Sequence, residues 1–282
     1  MFKTSSILTE AQRFIAKLCD IPRLQARLES MCFRLYFHQE VPEISAQCDI
    51  IIRAIEQVMN SRILYQVVQS VLVIGNYLNG NSFRGNASGF QIGSLTTLGR
   101  AVSPRNKSES LLHHLARTLR SSGSSPTELS QEIKLCKSVG ECIDINHLQK
   151  TINVLEKGLD ATTLELKSCK TFKSIPQNDQ FIAKLNEFIE QSQPVLLKIT
   201  ESAQSMIRHL DSLWDYFDEP ENSDSRKSPH LFLGELYAFS EMLKAAGIEV
   251  EARLTDLSTS QGSAQRSLKL EGESYEEYSV NQ

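Results

Sequence analysis

Glycine and asparagine are concentrated in residues 75–93, which read GNYLNGNSFRGNASGFQIG. Glycine-rich loops can hold phosphate groups, but these glycines fit neither the dinucleotide-binding spacing nor the P-loop spacing. Asparagine amides can instead hold an irregular backbone through side-chain hydrogen bonds. We therefore expect an apolar helix to end at Gly75 and an ordered loop to follow, forming a rigid pocket for a partner's side chain, with a purely structural crossover as the alternative. The apolar residues that we expect to anchor this loop are Tyr77, Leu78, Phe83 and Phe90.

The other candidates for chemistry fail on spacing. His113 and His114 are adjacent, so on a helix they point about 100° apart and do not share a metal ion. The acidic residues between 215 and 224 lack the glycine and the ligand spacing of a calcium loop. The chain has 6 cysteines without a C-x-x-C pair, and we expect them to be buried thiols. The sequence therefore predicts a protein that binds another protein, with no catalytic residue, cofactor or metal site.

Composition restricts the class of partner. The formal net charge of −4 argues against a general attraction to nucleic acid. The longest apolar stretch, residues 67–74, is too short to span a bilayer, and the N-terminus has no apolar run of the kind found in a signal peptide. We therefore expect a cytoplasmic protein with no membrane span and no nucleic-acid partner.

Helical periodicity dominates the first third of the chain. Asp20 and Pro22 resemble a helix start, and Leu24, Leu28, Met31 and Leu35 then mark one buried helix face. Pro42 is predicted to open the next helix. A third helix, residues 63–78, is apolar almost all round and is predicted to lie in the middle of a bundle.

Heptad spacing dominates the second half. Short helices are expected near 94–98 and 108–119, and residues 121–126 have the composition of a linker. Two coiled-coil registers follow, and the residues upstream at 129, 133 and 136 differ in phase, which predicts a stutter near Gly140. The first register consists of Leu148, Ile152, Leu155, Leu159, Thr162, Leu166 and Cys169, and the second of Phe181, Leu185, Phe188, Ser192, Val195, Ile199, Ser202, Met206, His209 and Leu213.

The break at Pro176 is too short for a parallel return, so the two registers are predicted to pack antiparallel. A last helix is expected at 231–257, with one apolar face, and the polar residues 258–282 are expected to be disordered. The predicted fold class is all-α: an elongated helical bundle with long antiparallel coiled-coil helices.

Residues 72–79, LVIGNYLN, together with RGNA at 84–87 and GF at 89–90, resemble the signature of the formin homology 2 domain. The segment around PRL at 22–24 resembles the family upstream of that signature, and LLHHL at 111–115 resembles it downstream. The similarity covers roughly residues 10–257. By this resemblance the chain begins after the family's N-terminal lasso, its linker and its first knob helices.

The resemblance implies a cytoskeleton-associated domain that binds actin and nucleates filaments or stays on their growing barbed ends. In the family a second chain completes a ring, its lasso encircling a surface called the post. The positions matching that lasso-receiving surface are Gly75, Asn76, Tyr77, Asn79, Gly89 and Phe90.

The family's actin-contacting lysine aligns with Val102, and the basic residues nearby are Arg100, Arg105 and Lys107. We interpret these three as a possible actin-facing loop. Because the lasso is not among the matching segments, we predict a monomer or a weak coiled-coil dimer. The alternative function is a helical scaffold that has lost actin nucleation and uses its heptad seam to bind another coiled coil.

The resemblance also divides the chain. Residues 1–120 match the remainder of the knob and post-like helices with the motif loop, and 121–218 match the coiled coil and long post helices. Residues 219–257 are interpreted as a C-terminal helix of the same domain, followed by the tail at 258–282.

Overall fold

The computed structural model describes residues 9–80, 82, 85–102, 106, 108–171 and 179–279, with side chains up to Asp256. Apart from an isolated antiparallel bridge between Val102 and Ser110, no strand occurs in these ranges, which confirms the all-α prediction. The helices are α1 (Glu10–Cys19), α2 (Leu24–Asn60), α3 (Arg62–Asn79), a 3₁₀ helix (Ile92–Arg100), α4 (Leu111–Ser121), α5 (Leu129–Glu132), α6 (Leu135–Cys142), α7 (Ile145–Thr171), α8 (Phe181–Phe217), α9 (Asp224–Lys227) and α10 (Pro229–Ser279).

These helices form two compact units. The first unit combines Met1–Ile52 with Ile143–Leu210, and the second combines Arg53–Cys142 with Asp211–Gln282. The segment at 121–126, predicted as a linker, lies within the second unit, where Pro126 is buried. No helix in the described ranges is long and apolar enough to cross a membrane.

In the first unit α7 and α8 pack antiparallel, as predicted. Lys170, near the end of α7, donates to Asn186 near the start of α8, with Nζ and Oδ1 3.0 Å apart. Further from the turn, Thr200 of α8 donates to Glu156 of α7 at 3.0 Å, and the two residues lie equally far along their helices from the first pair. All seven residues of the register on α7 are buried, and the register on α8 is buried except at Val195 and at the half-buried Ser202 and His209.

The N-terminal part of α2 completes a three-helix arrangement with α7 and α8. The ring of Phe33 covers Gly158 of α7 so closely that a Cβ there would lie 2.1 Å from a ring carbon. On the other side, the Phe33 and Phe37 rings contact Phe188 of α8 edge to face, with centroids 6.1 and 5.6 Å away. Aromatic contacts of this kind add to the free energy of apolar burial.

Two predictions for α2 are wrong. Pro42 does not begin a helix but lies exposed inside α2. The helix continues through it because Ile44 and Cys48 beyond it are buried on the same packing face, and the proline removes only one backbone hydrogen bond. The predicted buried face is also wrong: Leu28 is 50% exposed and Leu35 71%. Two apolar faces run along α2, and the one bearing Phe37 faces the bundle.

The second unit is organised around α10. Its buried face contains the predicted residues except Leu254, which is 43% exposed. The helix packs on α4 and α6 and contacts α5, α9 and the 3₁₀ helix. Where it crosses α6, a Cβ on Gly140 would lie 2.5 Å from the Cα of Gly234, so the two backbones meet without intervening side chains. The helix extends to Ser279, through a segment whose composition predicts disorder.

The predicted stutter near Gly140 is instead a helix break. Helix α6 ends at Cys142, and Asp144 begins α7 by accepting, through Oδ1, the backbone N–H groups of Asn146 and His147 at 2.9 and 3.2 Å. The cysteine prediction is correct for Cys48, Cys136 and Cys169, whereas Cys19, Cys32 and Cys142 are exposed.

Candidate functional site

The glycine- and asparagine-rich segment begins inside a helix. Ser61 starts α3 by accepting the backbone N–H of Leu64 at 3.0 Å, and the helix ends at Asn79, with Gly80 as its C-terminal cap. The predicted helix end at Gly75 is therefore wrong. A single glycine inside a helix costs only about 1 kcal/mol relative to alanine, so the flanking apolar residues carry the helix through it.

The loop that follows is held to α3 by Asn76. Its Nδ2 donates to the carbonyl of Ala87 at 2.9 Å, and its Oδ1 accepts the N–H of Ala87 at 2.8 Å. Beside it, Asn86 has a φ of 58°, a left-handed conformation that asparagine adopts more readily than most residues. The prediction that asparagine side chains hold this backbone is confirmed at Asn76.

Gly85 and Asn79 pack backbone to backbone. A Cβ on Gly85 would lie 2.8 Å from the carbonyl oxygen of Asn79, so this position requires glycine. That same oxygen accepts hydrogen bonds from the N–H and the hydroxyl of Ser82, at 2.8 and 2.9 Å. Asn81 and Phe83, which the sequence also implicates, lie outside the described residues.

Three apolar side chains of α3 face away from the protein. Tyr77 is 86% exposed, Val73 69% and Leu78 65%. The predicted anchoring roles of Tyr77 and Leu78 are therefore wrong, and so is the prediction that α3 lies in the middle of a bundle. Only its first half, at Ile63, Leu64 and Val67, is buried, because α4 covers α3 incompletely.

A groove of about 600 Å³ runs beside these side chains; we call it the α3/α4 groove. Its opposite wall is shaped by the bridge between Val102 and Ser110 and by the Leu111 N–H, which donates to the Ala101 carbonyl at 2.8 Å. Val102 is 53% exposed. The lining residues are Val73, Ile74, Tyr77, Leu78, Ala101, Val102, Glu109, Ser110, Leu111, His114 and Arg117.

His113 fixes this wall to α10. Its Nδ1 accepts the backbone N–H of Ser110 at 3.1 Å, which leaves Nε2 as the donor to Glu249, 3.0 Å away. The hydrogen bond from His113 lowers the pKa of the Glu249 carboxyl. The sequence excluded His113 as a metal ligand and favoured a solvent-facing or core-capping role; its place three residues after a serine, as in a capping box, signals the bond with Ser110 but not the one with Glu249.

The rim of the groove is charged but neutralised. Glu109 pairs with Arg117 at 2.8 Å and with Arg253 of α10 at 3.4 Å. The groove therefore has an apolar floor, and the charged side chains at its edge are largely paired with one another. Nowhere in the described parts of the chain do three histidine, cysteine or acidic side chains come together as a metal site would require.

The groove brings together some of the predicted site residues and not others. Tyr77 lines it, whereas Gly75, Asn76 and Asn79 belong to the helix end and the loop clamp. Gly89 is exposed and Phe90 half-buried, and neither lines the groove. Arg100 is exposed at the end of the 3₁₀ helix; Arg105 and Lys107 lie outside the described residues.

The family model described as Formin Homology 2 Domain matches residues 3–244. The chain belongs to the formin homology 2 family. This confirms the resemblance seen in the signature around Asn76. The groove and the clamped loop are thus features of a formin homology 2 domain.

Curated formins are similar over much of the chain. Disheveled-associated activator of morphogenesis 1-A of Xenopus laevis is 32% identical over 182 residues, which is 64% of this chain and 17% of that protein. Formin-like protein 16 of Arabidopsis thaliana is 26% identical over 76% of this chain and 29% of its own length. Formin-G of Dictyostelium discoideum is 25% identical over 91% of this chain and 24% of its own length. The chain therefore spans less than a third of each of these relatives.

Proposed function

We propose that this chain is an actin-binding formin homology 2 domain that nucleates filaments or stays on their barbed ends. It acts by binding, without catalysing a reaction, in the cytoplasm at the actin cytoskeleton. In this proposal the α3/α4 groove receives a segment of a second formin chain, as the family's post receives a lasso. Family membership over residues 3–244 supports the proposal.

The observation that carries the proposal is the exposure of Tyr77, Val73 and Leu78 beside a pre-formed groove. Burying three such side chains stabilises a complex by several kcal/mol, at about 1.5–3 kcal/mol for each large apolar residue. Because its walls are α3, α4 and the bridge between Val102 and Ser110, the groove loses little conformational entropy on binding. A rigid apolar surface of this kind binds a partner's aromatic or aliphatic side chain.

The test is co-sedimentation of this chain with actin filaments, beside an assay of pyrene-actin polymerisation. We expect the chain to pellet with filaments in a saturable manner. Absence of binding at low salt, with the chain shown to be folded by circular dichroism, would contradict the proposal.

The substitution Tyr77→Ala tests binding at the α3/α4 groove independently of binding to actin. A peptide with the sequence of a formin lasso should bind the wild-type chain and lose at least about tenfold in affinity on this substitution, because Tyr77 is the most exposed apolar side chain at the groove. Tyr65→Ala is the matched control: Tyr65 lies on the same helix, is 55% exposed and does not line the groove. Equal effects of the two substitutions would count against the groove as the binding surface.

A further inference from the structure

A second apolar groove lies in the first unit, between the start of α2 and the start of α8; we call it the α2/α8 groove. It has a volume of about 580 Å³ and extends from Leu18 and Ile21 along one face of α2. That face consists of Leu24, Leu28, Met31 and Leu35, whose spacing of four, three and four residues is that of a coiled-coil seam.

The seam is shaped like one side of a helix–helix interface. Leu28 and Met31 are 50% and 49% exposed, and Leu35 is 71% exposed, while the floor beside them, Phe181 and Leu185 of α8, is buried. A helix lying along this groove would contact α2 and α8 at once and bury the exposed seam. A groove between two helices is the surface that binds an amphipathic helix through side chains at heptad spacing.

The charges at the groove specify the flanks of that helix. Arg34 and Lys184 line it, and within the described part of the chain neither has an acidic partner. Arg27, only 7% exposed, also lines it; it pairs with Asp179 at 2.5 Å and lies over the Phe181 ring, 4.7 Å from the centroid. Its buried Nε has no acceptor in the same part of the chain. Three cations but only one carboxylate, that of Asp179, therefore line the groove.

We propose that the α2/α8 groove binds an amphipathic helix of a partner protein, with an apolar heptad stripe flanked by glutamate or aspartate. The stripe covers the seam of α2, and the acidic flanks pair with Arg34 and Lys184. A second copy of this chain does not fit, because its α1, the amphipathic helix with the exposed Phe14 and Ile15, carries the basic Arg13 and Lys17 beside its apolar face. This proposal is independent of the groove beside Tyr77.

The probe is a fluorescent peptide of about 21 residues, three heptads, with leucine at a and d and glutamate at e and g. The matched peptide has lysine in place of glutamate. Fluorescence anisotropy with the full chain at low salt should show the glutamate peptide binding about tenfold or more tightly than the lysine peptide, a preference that shrinks as salt rises. The double variant Arg34→Glu/Lys184→Glu should reverse the preference.

Two further variants make the test specific. Lys157→Glu/Lys198→Glu introduces the same charge change at exposed positions of α7 and α8 outside the groove and should leave the preference unchanged. Leu28→Ser/Leu35→Ser should abolish binding of both peptides with little change in melting temperature, because both leucines are at least half exposed. Equal binding of the two peptides, no binding of either, or insensitivity to charge reversal at Arg34 and Lys184 would overturn the proposal. So would a dimer of the chain alone, in sedimentation equilibrium, that Leu28→Ser/Leu35→Ser dissociates.

Discussion

The side-chain amide of Asn76 and the backbone of Ala87 form two hydrogen bonds, of 2.9 and 2.8 Å, in the pattern by which two strands pair. One asparagine on the last turn of α3 thereby ties the helix end to a residue eleven positions later, while Tyr77, its neighbour, is 86% exposed. Asn76 and Tyr77 both lie in the family signature, which therefore contributes both the clamp and an exposed apolar side chain of the α3/α4 groove.

Removing the clamp should loosen the loop without unfolding the domain. Asn76→Ala loses both bonds, and at about 1 kcal/mol net for each we expect the free energy of unfolding to fall by about 1–2 kcal/mol. The Ala87 amide should lose its protection from hydrogen exchange, measured by NMR. Asn60→Ala, which removes one exposed hydrogen bond to the Glu56 carbonyl, is the control and should leave Ala87 protected. A protected Ala87 amide in Asn76→Ala would show that other contacts close the loop.

The two glycines Gly75 and Gly140 should respond in opposite directions to alanine. No atom lies within 4 Å of a Cβ at Gly75, so Gly75→Ala should raise the free energy of unfolding by about 0.5–1 kcal/mol through helix propensity. At Gly140 the Cβ would lie 2.5 Å from the Gly234 Cα, so α6 and α10 must separate, and we expect a loss of about 1–3 kcal/mol. Urea unfolding of the two variants measures both values. A destabilising Gly75→Ala would indicate a close contact that this structure does not contain.

Glu165 should make the first unit sensitive to acid. Its carboxylate, 7% exposed, accepts hydrogen bonds from both Nε and Nη2 of Arg23, and the hydrogen bond from Arg23 lowers its pKa below the ordinary value of 4.5. The pKa of Glu165 is lower in the folded state than in the unfolded state. The ion pair therefore stabilises the fold fully at a pH above the unfolded-state pKa, and this stabilisation is lost as the pH falls through the folded-state pKa. We expect the melting temperature to decline below about pH 4.5 and to decline less steeply in Glu165→Gln, which should melt lower at pH 7.

The exposed Glu201 is the control for that experiment: Glu201→Gln should leave the wild-type pH profile unchanged. Parallel profiles for wild type and Glu165→Gln would show that the ion pair with Arg23 does not contribute to stability.

The heptad register of α7 was fully predictable because that helix has one apolar seam and every residue of it is buried. On α2 the same rule failed, since two apolar faces compete and periodicity does not tell which one faces the bundle. Leu28 and Leu35 were predicted to be buried and are exposed, whereas Phe37 is buried. A residue's spacing fixes its face on a helix, but burial depends on partners that lie far away in the sequence.

In the candidate site, too, local features were predictable from the sequence and contacts between distant residues were not. The asparagine-rich composition predicted a side-chain clamp, because short amides bond to nearby backbone, and Asn76 makes one. The link from His113 to Glu249 joins residues 136 positions apart, and no local pattern encodes such a contact. The outward orientation of Tyr77 likewise depends on how much of α3 the neighbouring α4 covers, which is a property of tertiary packing.

Replacing the basic residues Arg100, Arg105 and Lys107 tests the prediction that this part of the chain faces actin. Arg100 is exposed, and the family resemblance aligns Val102, two residues later, with a lysine that contacts actin, whose surface is broadly acidic. Long basic side chains there would replace that lysine through screened attraction rather than one fixed contact. Replacing all three by glutamine should weaken co-sedimentation with filaments several-fold at low salt, and the difference from wild type should shrink as salt rises.

The matched control for that variant replaces Lys157, Lys167 and Lys198, exposed lysines of α7 and α8, by glutamine. It removes the same net charge from the first unit, so it distinguishes a contact made by Arg100, Arg105 and Lys107 from the general effect of a more acidic protein. We expect the control to co-sediment within about twofold of wild type, because these three lysines are not among the residues proposed to face actin and an exposed charge contributes little without a direct contact. If both triple variants lose binding equally, attraction to the filament depends on overall charge; if neither loses it at low salt, the residues around Val102 do not form an actin site.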